Sequence, residues 1–273
     1  MDAVLDGAVR RYLTMADRLL PGRLEGLYVV GSAALGAFRP GRSDIDFVAV
    51  LSGPATSADV RRLRVLHATT AAGTAPRAVL RGQPLTGACN GVFVRVDDLR
   101  PPVTAIRPLA SHSGHQFWVG RGFDVNPVVW KNLAERGIAV RGPAPSELGL
   151  DCEPGRLRAW NLDNLDRYWS PWASTLLTAP TRTARFRPRW TTAWGVLGAP
   201  RLHHTIATRE VISKEAAGNY ALEVFDRSWH PIIREGLAYW LGQPADPAFR
   251  AVRKRAQRTA EFVLEVVAAA HAL

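Results

Sequence analysis

The chain has few cysteines, almost no lysine and no long apolar run. Cys89 and Cys152, two thiols in 273 residues, are too few for a disulfide framework or a thiolate metal cluster. That scarcity fits a reducing compartment, and the cytoplasm is the expected location. No apolar stretch reaches the roughly 18 residues that a spanning helix needs, so no membrane partner is expected. The opening Met1-Asp2-Ala3-Val4-Leu5-Asp6 carries acids where a secretory leader carries bases, which argues against export. Only Lys131, Lys214 and Lys254 of the 35 basic residues are lysine.

What is present is a strong arginine excess. The formal net charge is +11 and the sequence pI is near 10.7. Residues 1–150 carry 18 basic against 12 acidic residues, and residues 151–273 carry 17 against 12, so the surplus is spread over both halves. Such a balance suits an anionic ligand such as a nucleoside triphosphate, with nucleic acid a lesser expectation. An arginine-rich coding bias would give the same totals. Hydrophobic residues at 47% and charged residues at 22% describe a globular chain, long enough for one large domain or two of ordinary size.

The most informative stretch is Leu27-Tyr28-Val29-Val30-Gly31-Ser32, followed after a basic loop by Ser43-Asp44-Ile45-Asp46-Phe47-Val48-Ala49-Val50-Leu51. An apolar run ends at Gly-Ser, and a β-rich run opens with two acids. Residues i and i+2 of a strand share a face, which brings Asp44 and Asp46 together about 7 Å apart along the backbone. Two carboxylates so close repel unless a cation lies between them. A hard divalent ion held by one or two carboxylates and by phosphate oxygens is the usual magnesium arrangement. Gly31-Ser32 offers backbone N–H groups and a hydroxyl at the start of a helix, where phosphate can sit. An Asp-x-Asp alone is more often an exposed pair, and a Gly-Ser alone is a turn. The ordered combination is the specific signal.

Periodicity organises the rest. Residues 3–20 have helical spacing, with Val4, Leu5, Ala8, Val9, Leu13, Ala16, Leu19 and Leu20 as one stripe, stopped at Pro21-Gly22. Strands are expected at 27–30, 45–51, 91–96 and 117–119. Helices are expected at 57–71, with Ser57 as cap, and at 127–136, ending at Gly137. A Pro/Gly-rich stretch near 141–156 suggests a boundary, with domains at 1–150 and 151–273. Beyond it, 156–168, 190–207, 214–225, 230–241 and 246–270 read as helices, with a loop at 179–188. The fold class expected is α+β: an N-terminal α/β domain followed by an all-α helical bundle.

Gly31-Ser32, a spacer containing Gly36, and Ser43-Asp44-Ile45-Asp46 together resemble the signature of the polymerase-β-like nucleotidyltransferase superfamily. With Val140-Arg141-Gly142-Pro143, Arg201, Lys214 and the Tyr239-Trp240-Leu241-Gly242 run, the chain is similar to the aminoglycoside 3''-adenylyltransferases over almost its whole length. The resemblance implies antibiotic resistance by a magnesium-dependent transfer of AMP from ATP to a hydroxyl of an aminoglycoside or another small molecule. It implies that Asp44 and Asp46 are catalytic and hold Mg2+, and that Gly31, Ser32 and Ser43 frame the nucleotide. Arg201 and Lys214 would reach the triphosphate, and both substrates would meet in a cleft between the domains. In that family a tyrosine before Leu-Gly faces the nucleotide; Trp240 stands there here. Lys214 also fits on physical grounds. A cation at a helix N-terminus is disfavoured unless it holds an anion.

The chain departs from the pattern at one catalytic position. The family has a third acid, a general base, on another strand, and aligning Val92 to Asp98 on that strand puts Asn90 at its place. An amide accepts no proton. Asp97 and Asp98 read as turn residues, whereas His112 or His115 could supply a base. A cationic aminoglycoside needs acids, for which Asp163, Asp166, Glu210 and Glu215 are candidates. Trp160, Tyr168, Trp169 and Trp172 read first as core and second as a stacking platform. His203 and His204 are either acceptor contacts or helix surface. Three functions stay open: the transferase, a catalytically weakened nucleotide-binding paralogue, and nucleotidyl transfer to nucleic acid.

Overall fold

Three apolar strands, Leu24–Val30 (β1), Ile45–Leu51 (β2) and Cys89–Arg95 (β3), form the centre of a mixed six-stranded sheet. The computed structural model describes residues 2–81, 89–114, 116–178 and 188–273. The sheet is completed by Ala110–Ser113 (β4), Gln116–Val119 (β5) and Ile138–Arg141 (β6), in the order β5-β4-β3-β2-β1-β6. Only β2 and β3 are parallel. The central strands are buried on both faces, which is why they read as continuous apolar runs rather than as alternation.

The two faces have separate cores. Leu27, Val29, Phe47, Ala49 and Phe93 pack beneath Ala3–Leu19 (α1) and Ser57–Arg81 (α3). Tyr28, Val30, Val48, Val50, Val92 and Val94 pack against Trp130 and Leu133 of Pro127–Arg136 (α4). A four-residue helical turn, Gly31–Ala34 (α2), follows β1 directly. Strands β4 and β6 are not visible in the pattern. Each has four residues, β4 is mostly polar, and β6 starts one residue beyond the Gly137 stop.

Three local expectations are corrected. Val4 is exposed, and Tyr12 takes a buried place on the inner stripe of α1. Ser57 is not the cap of α3. Thr56 and Asp59 satisfy each other instead, Asp59 N–H donating to Thr56 Oγ1 and Thr56 N–H to Asp59 Oδ2. The helix also continues well past residue 71.

The chain divides into two compact units, Met1–Pro154 and Gly155–Leu273. The second is helical: Leu157–Asn164 (α5), Ser170–Thr178 (α6), Arg189–Thr208 (α7), Lys214–Val224 (α8), His230–Trp240 (α9) and Val252–His271 (α10). A π-type turn at Leu165–Trp169 joins α5 to α6, so the expected 156–168 helix is the front of a longer helical run. The final helix starts at Val252 rather than at residue 246, because Asp246 caps a separate turn at Pro247–Phe249. The expected loop at 179–188 lies, apart from Pro188, outside the described residues.

Glycine lets these helices approach closely. A Cβ on Gly198 would fall 2.3 Å from the Trp169 ring, and one on Gly195 would fall 2.7 Å from that of Trp172. The tryptophans therefore seat in notches on α7. Buried Glu235 accepts from Arg189 Nε at 2.6 Å and from the Asp246 N–H at 3.0 Å, which fixes the segment after α9. Among the described residues no helix is long and apolar enough to cross a membrane.

Candidate active site

The site begins where β1 ends and β2 starts. Val30 pairs with Asp46 across the antiparallel ladder, and the chain turns at Gly31 with φ +64°. That conformation is natural only to glycine. A second constraint falls on the same residue, since a Cβ on Gly31 would lie 2.3 Å from Asp46 Oδ2. The carboxylate of Asp46 rests on the bare Cα of Gly31. Residue parity puts Asp44 and Asp46 on the face of Val48 and Val50, which α4 covers. Both acids are half-buried.

Helix α4 organises this corner. Asn126 caps it, its Oδ1 accepting from the Val128 and Val129 N–H groups. One turn further, buried Asn132 accepts the Gly31 N–H at 2.7 Å. The Gly31 amide is thus engaged within the protein, which corrects the expectation that it is offered to phosphate. Ser32 is half-buried beside it. Ser43 is buried, its Oγ accepting from the Arg39 N–H at 3.1 Å and its own N–H donating to the Arg39 carbonyl. Its hydroxyl shapes the loop that delivers Asp44.

Asn90 stands beside Asp46 in the parallel register of β2 and β3, on the same face. It is buried and accepts the Gly114 N–H at 2.9 Å, tying β3 to the turn between β4 and β5. The place opposite Asp46 is filled by a structural amide. Asp97 and Asp98 belong to a 3₁₀ turn, with Asp98 bonded to the side chain and the N–H of Arg95. His112 is corrected as a base. It lies on the other face of the sheet, fully buried among Tyr12, Phe47, His67 and Phe93, and bonds Tyr12 through Nε2 at 3.2 Å. Burial there, with His67 beside it, pushes it down to about 3. His115 lies outside the described residues.

The sequence reading missed Asp124. It precedes Val125, which packs on the Val48 and Val92 face, and Asn126, the cap of α4. Burial first, and then the charge of Asp46, push Asp124 up to about 7. Burial likewise pushes the Cys89 thiol up to about 12, with Asp44 and Asp46 adding to the effect. Burial dominates both shifts; the charge of Asp46 adds to each, and Arg11 opposes it at Cys89. No motif marks Asp124 in the sequence. The nearest signal is the Asp-x-Asn-Pro start of a helix. Among the described residues no three His, Cys, Asp or Glu side chains are grouped to hold a metal by themselves. The two aspartates offer the hard oxygen donors that suit magnesium, with the remaining positions left to phosphate and water.

In the second unit, Arg201 Nε donates to the Ile212 carbonyl at 3.1 Å. Ser213 follows and caps α8, and Lys214 is the first residue of that helix. The arginine of α7 is therefore fixed to the segment that presents Lys214. The Lys214 ammonium lies 5.2 Å from the ring centroid of Trp194 and 4.6 Å from that of Trp240. Trp240 is only 7% exposed and belongs to the helical core. His203 is core rather than surface, bonding Tyr220 and packing on Phe225, while His204 contacts Tyr220 and the Glu210 carbonyl. Asp163 pairs with Arg167 and Asp166 with His271. Trp169 is buried, Trp172 packs on the core, and Tyr168 is exposed.

Comparison with known proteins agrees with this geometry. A family model described as "Nucleotidyltransferase domain" matches residues 9–70, the segment holding β1, Gly31-Ser32 and the aspartate pair. The chain is a nucleotidyltransferase. A second model, "Aminoglycoside adenylyltransferase, C-terminal domain", matches residues 175–266 and places it among the aminoglycoside adenylyltransferase-like nucleotidyltransferases. The solved structure of spectinomycin adenyltransferase AAD(9) from Enterococcus faecialis, with ATP and spectinomycin, has the same fold. It matches with a TM-score of 0.65 at 15% identity, over 96% of this chain and 99% of that one. No curated protein sequence matches.

Proposed function

We propose that the protein transfers AMP from ATP to a hydroxyl of a small molecule, with magnesium bound by Asp44 and Asp46. The observation that carries this reading is the seating of Asp46 on Gly31, beside Ser32 and two residues from Asp44. Magnesium, when bound, neutralises phosphate charge and polarises the α-phosphate. The rest falls to the chain's own residues. Gly31 leaves room for the Asp46 carboxylate, and Ser43 orients Asp44. Ser32 offers its hydroxyl to the outer phosphates, and Arg201 and Lys214 are the helical unit's candidate phosphate-binding cations. The acceptor oxygen bonds to the α-phosphorus, the bond to the bridging β-phosphate oxygen breaks, and pyrophosphate leaves. Asp124 provides the third carboxylate that Asn90 lacks and receives the acceptor's proton. Catalysis of this kind rests on positioning and charge neutralisation.

An aminoglycoside is the first acceptor to try, since a known fold relative was solved with spectinomycin. A second reading, a nucleotide-binding paralogue without efficient turnover, is favoured by the structural use of Asn90. Calorimetry of ATP with magnesium, then pyrophosphate release with a panel of aminoglycosides, separates the two. The expected result is metal-dependent ATP binding that Asp46→Ala removes, with release on adding an acceptor. Binding without release by any acceptor supports the paralogue. No ATP binding overturns both.

A further inference from the structure

We infer that Asn132 is a substrate-binding residue whose side-chain amide joins the Gly31-Ser32 turn to a phosphate oxygen of the nucleotide. The inference rests on the nucleotide reading above and gives that site a donor its motifs do not contain. Asn132 lies on α4, which covers the sheet face of Val48 and Val50, and it is only 4% exposed. Its Oδ1 accepts the Gly31 N–H at 2.7 Å. That bond sets the orientation of the whole amide. Turned over, Nδ2 would oppose another N–H, so the oxygen faces Gly31 and the nitrogen takes the other side. Nδ2 is buried and has no hydrogen-bond partner among the described residues.

A buried amide donor without an acceptor is costly, and native proteins keep few of them. A bare acceptor would have sufficed to hold the Gly31 N–H. The asparagine brings a donor as well, at the residue on which the Asp46 carboxylate rests and next to the Ser32 hydroxyl. An oxygen arriving with the ligand is what such a donor requires, and a charged phosphate oxygen is a strong acceptor for it. The neutrality of the amide matters here. A lysine or arginine in its place would pair with Asp46 and compete with the metal, whereas an amide donates without adding charge. One side chain thus fixes the glycine that seats Asp46 and meets the phosphate beside it.

Nuclear magnetic resonance of the isotope-labelled full-length protein tests this. The side-chain amide signals of Asn132, identified by their loss in Asn132→Asp, are expected to shift on adding magnesium-ATP. Hydrogen exchange at the Gly31 amide should stay slow in Asn132→Asp, which keeps the acceptor, and quicken about 10-fold in Asn132→Leu, which does not. Both variants should weaken magnesium-ATP about 10-fold or more in calorimetry, because both lack the donor. Asn132→Leu also controls for the charge that the aspartate adds. Asn132 signals that stay still while calorimetry shows ATP to bind would overturn the inference. So would signals that move with an aminoglycoside but not with ATP, or an ATP affinity in Asn132→Leu equal to that of the wild type. Failure of the wild-type protein to bind ATP would instead overturn the nucleotide reading beneath it.

Discussion

Both compact units carry a basic excess, 18 against 14 in Met1–Pro154 and 17 against 10 in Gly155–Leu273, yet they gather opposite charges at their candidate residues. The sheet unit gathers carboxylates, with Asp44 and Asp46 at one corner and Asp124 feeling the charge of Asp46. The helical unit gathers cations, with Arg201 fixed to the segment that presents Lys214 and aromatic faces under the ammonium. Total charge locates neither. The sheet unit concentrates charge because strand parity and a glycine turn force the acids together. The helical unit presents charge by pinning long side chains to a carbonyl and to indole rings.

The comparison breaks most visibly at Asp124. Asp124→Asn is expected to lower turnover by about 10²-fold or more with ATP affinity little changed, measured as pyrophosphate release against calorimetric binding. Unchanged turnover would remove Asp124 from the chemistry. Gly31→Ala comes next. It forces a side chain into φ +64° and against Asp46 Oδ2, and should cost roughly 1–3 kcal/mol in urea unfolding. A neutral result would mean that the turn relaxes freely.

The sheet unit should also be the more acid-sensitive through His112. Its folded value of about 3 lies below the ordinary 6.5, so the unfolded chain takes up a proton that the folded chain refuses. Stability is complete above about pH 6.5 and is lost progressively toward pH 3, at up to about 1.4 kcal/mol per pH unit. Unfolding midpoints between pH 7 and 4 should show this slope, and His112→Phe should flatten it. The smallest effect sharpens the contrast. Asp46→Asn should abolish the rise in unfolding midpoint on adding magnesium. An unchanged midpoint shift in Asp46→Asn would remove Asp46 from the metal site.

Much of the architecture was legible because its signals are local. Apolar runs marked β1, β2 and β3, and helical period marked the second unit. The glycine stop of α4 was visible too, whereas its Asn126 cap was not read. Strands β4 and β6 were not, since four residues with polar members carry no period and are strands only because β3 and β1 pair with them. The failure of His112 as a base has the same origin. Nothing local tells a loop-like Ser-His-Ser from a strand whose histidine points into an aromatic core. Asp124 was missed because its significance lies in the neighbourhood of Asp46, 78 positions earlier in the chain.

By itself the sequence determined the order of an α/β domain and a helical bundle, the Gly-Ser and Asp-x-Asp pairing, and an asparagine at position 90, where the resemblance implies an acid. These depend on residue type and spacing, which fix turn conformation, strand parity and ligand chemistry. Tertiary structure alone decided that Asp46 rests on Gly31, that Asn132 takes the Gly31 amide, that His112 is sealed away and that Lys214 lies between two tryptophans. Each joins residues distant in the chain or on different elements, and such contacts arise from packing, which no local pattern encodes.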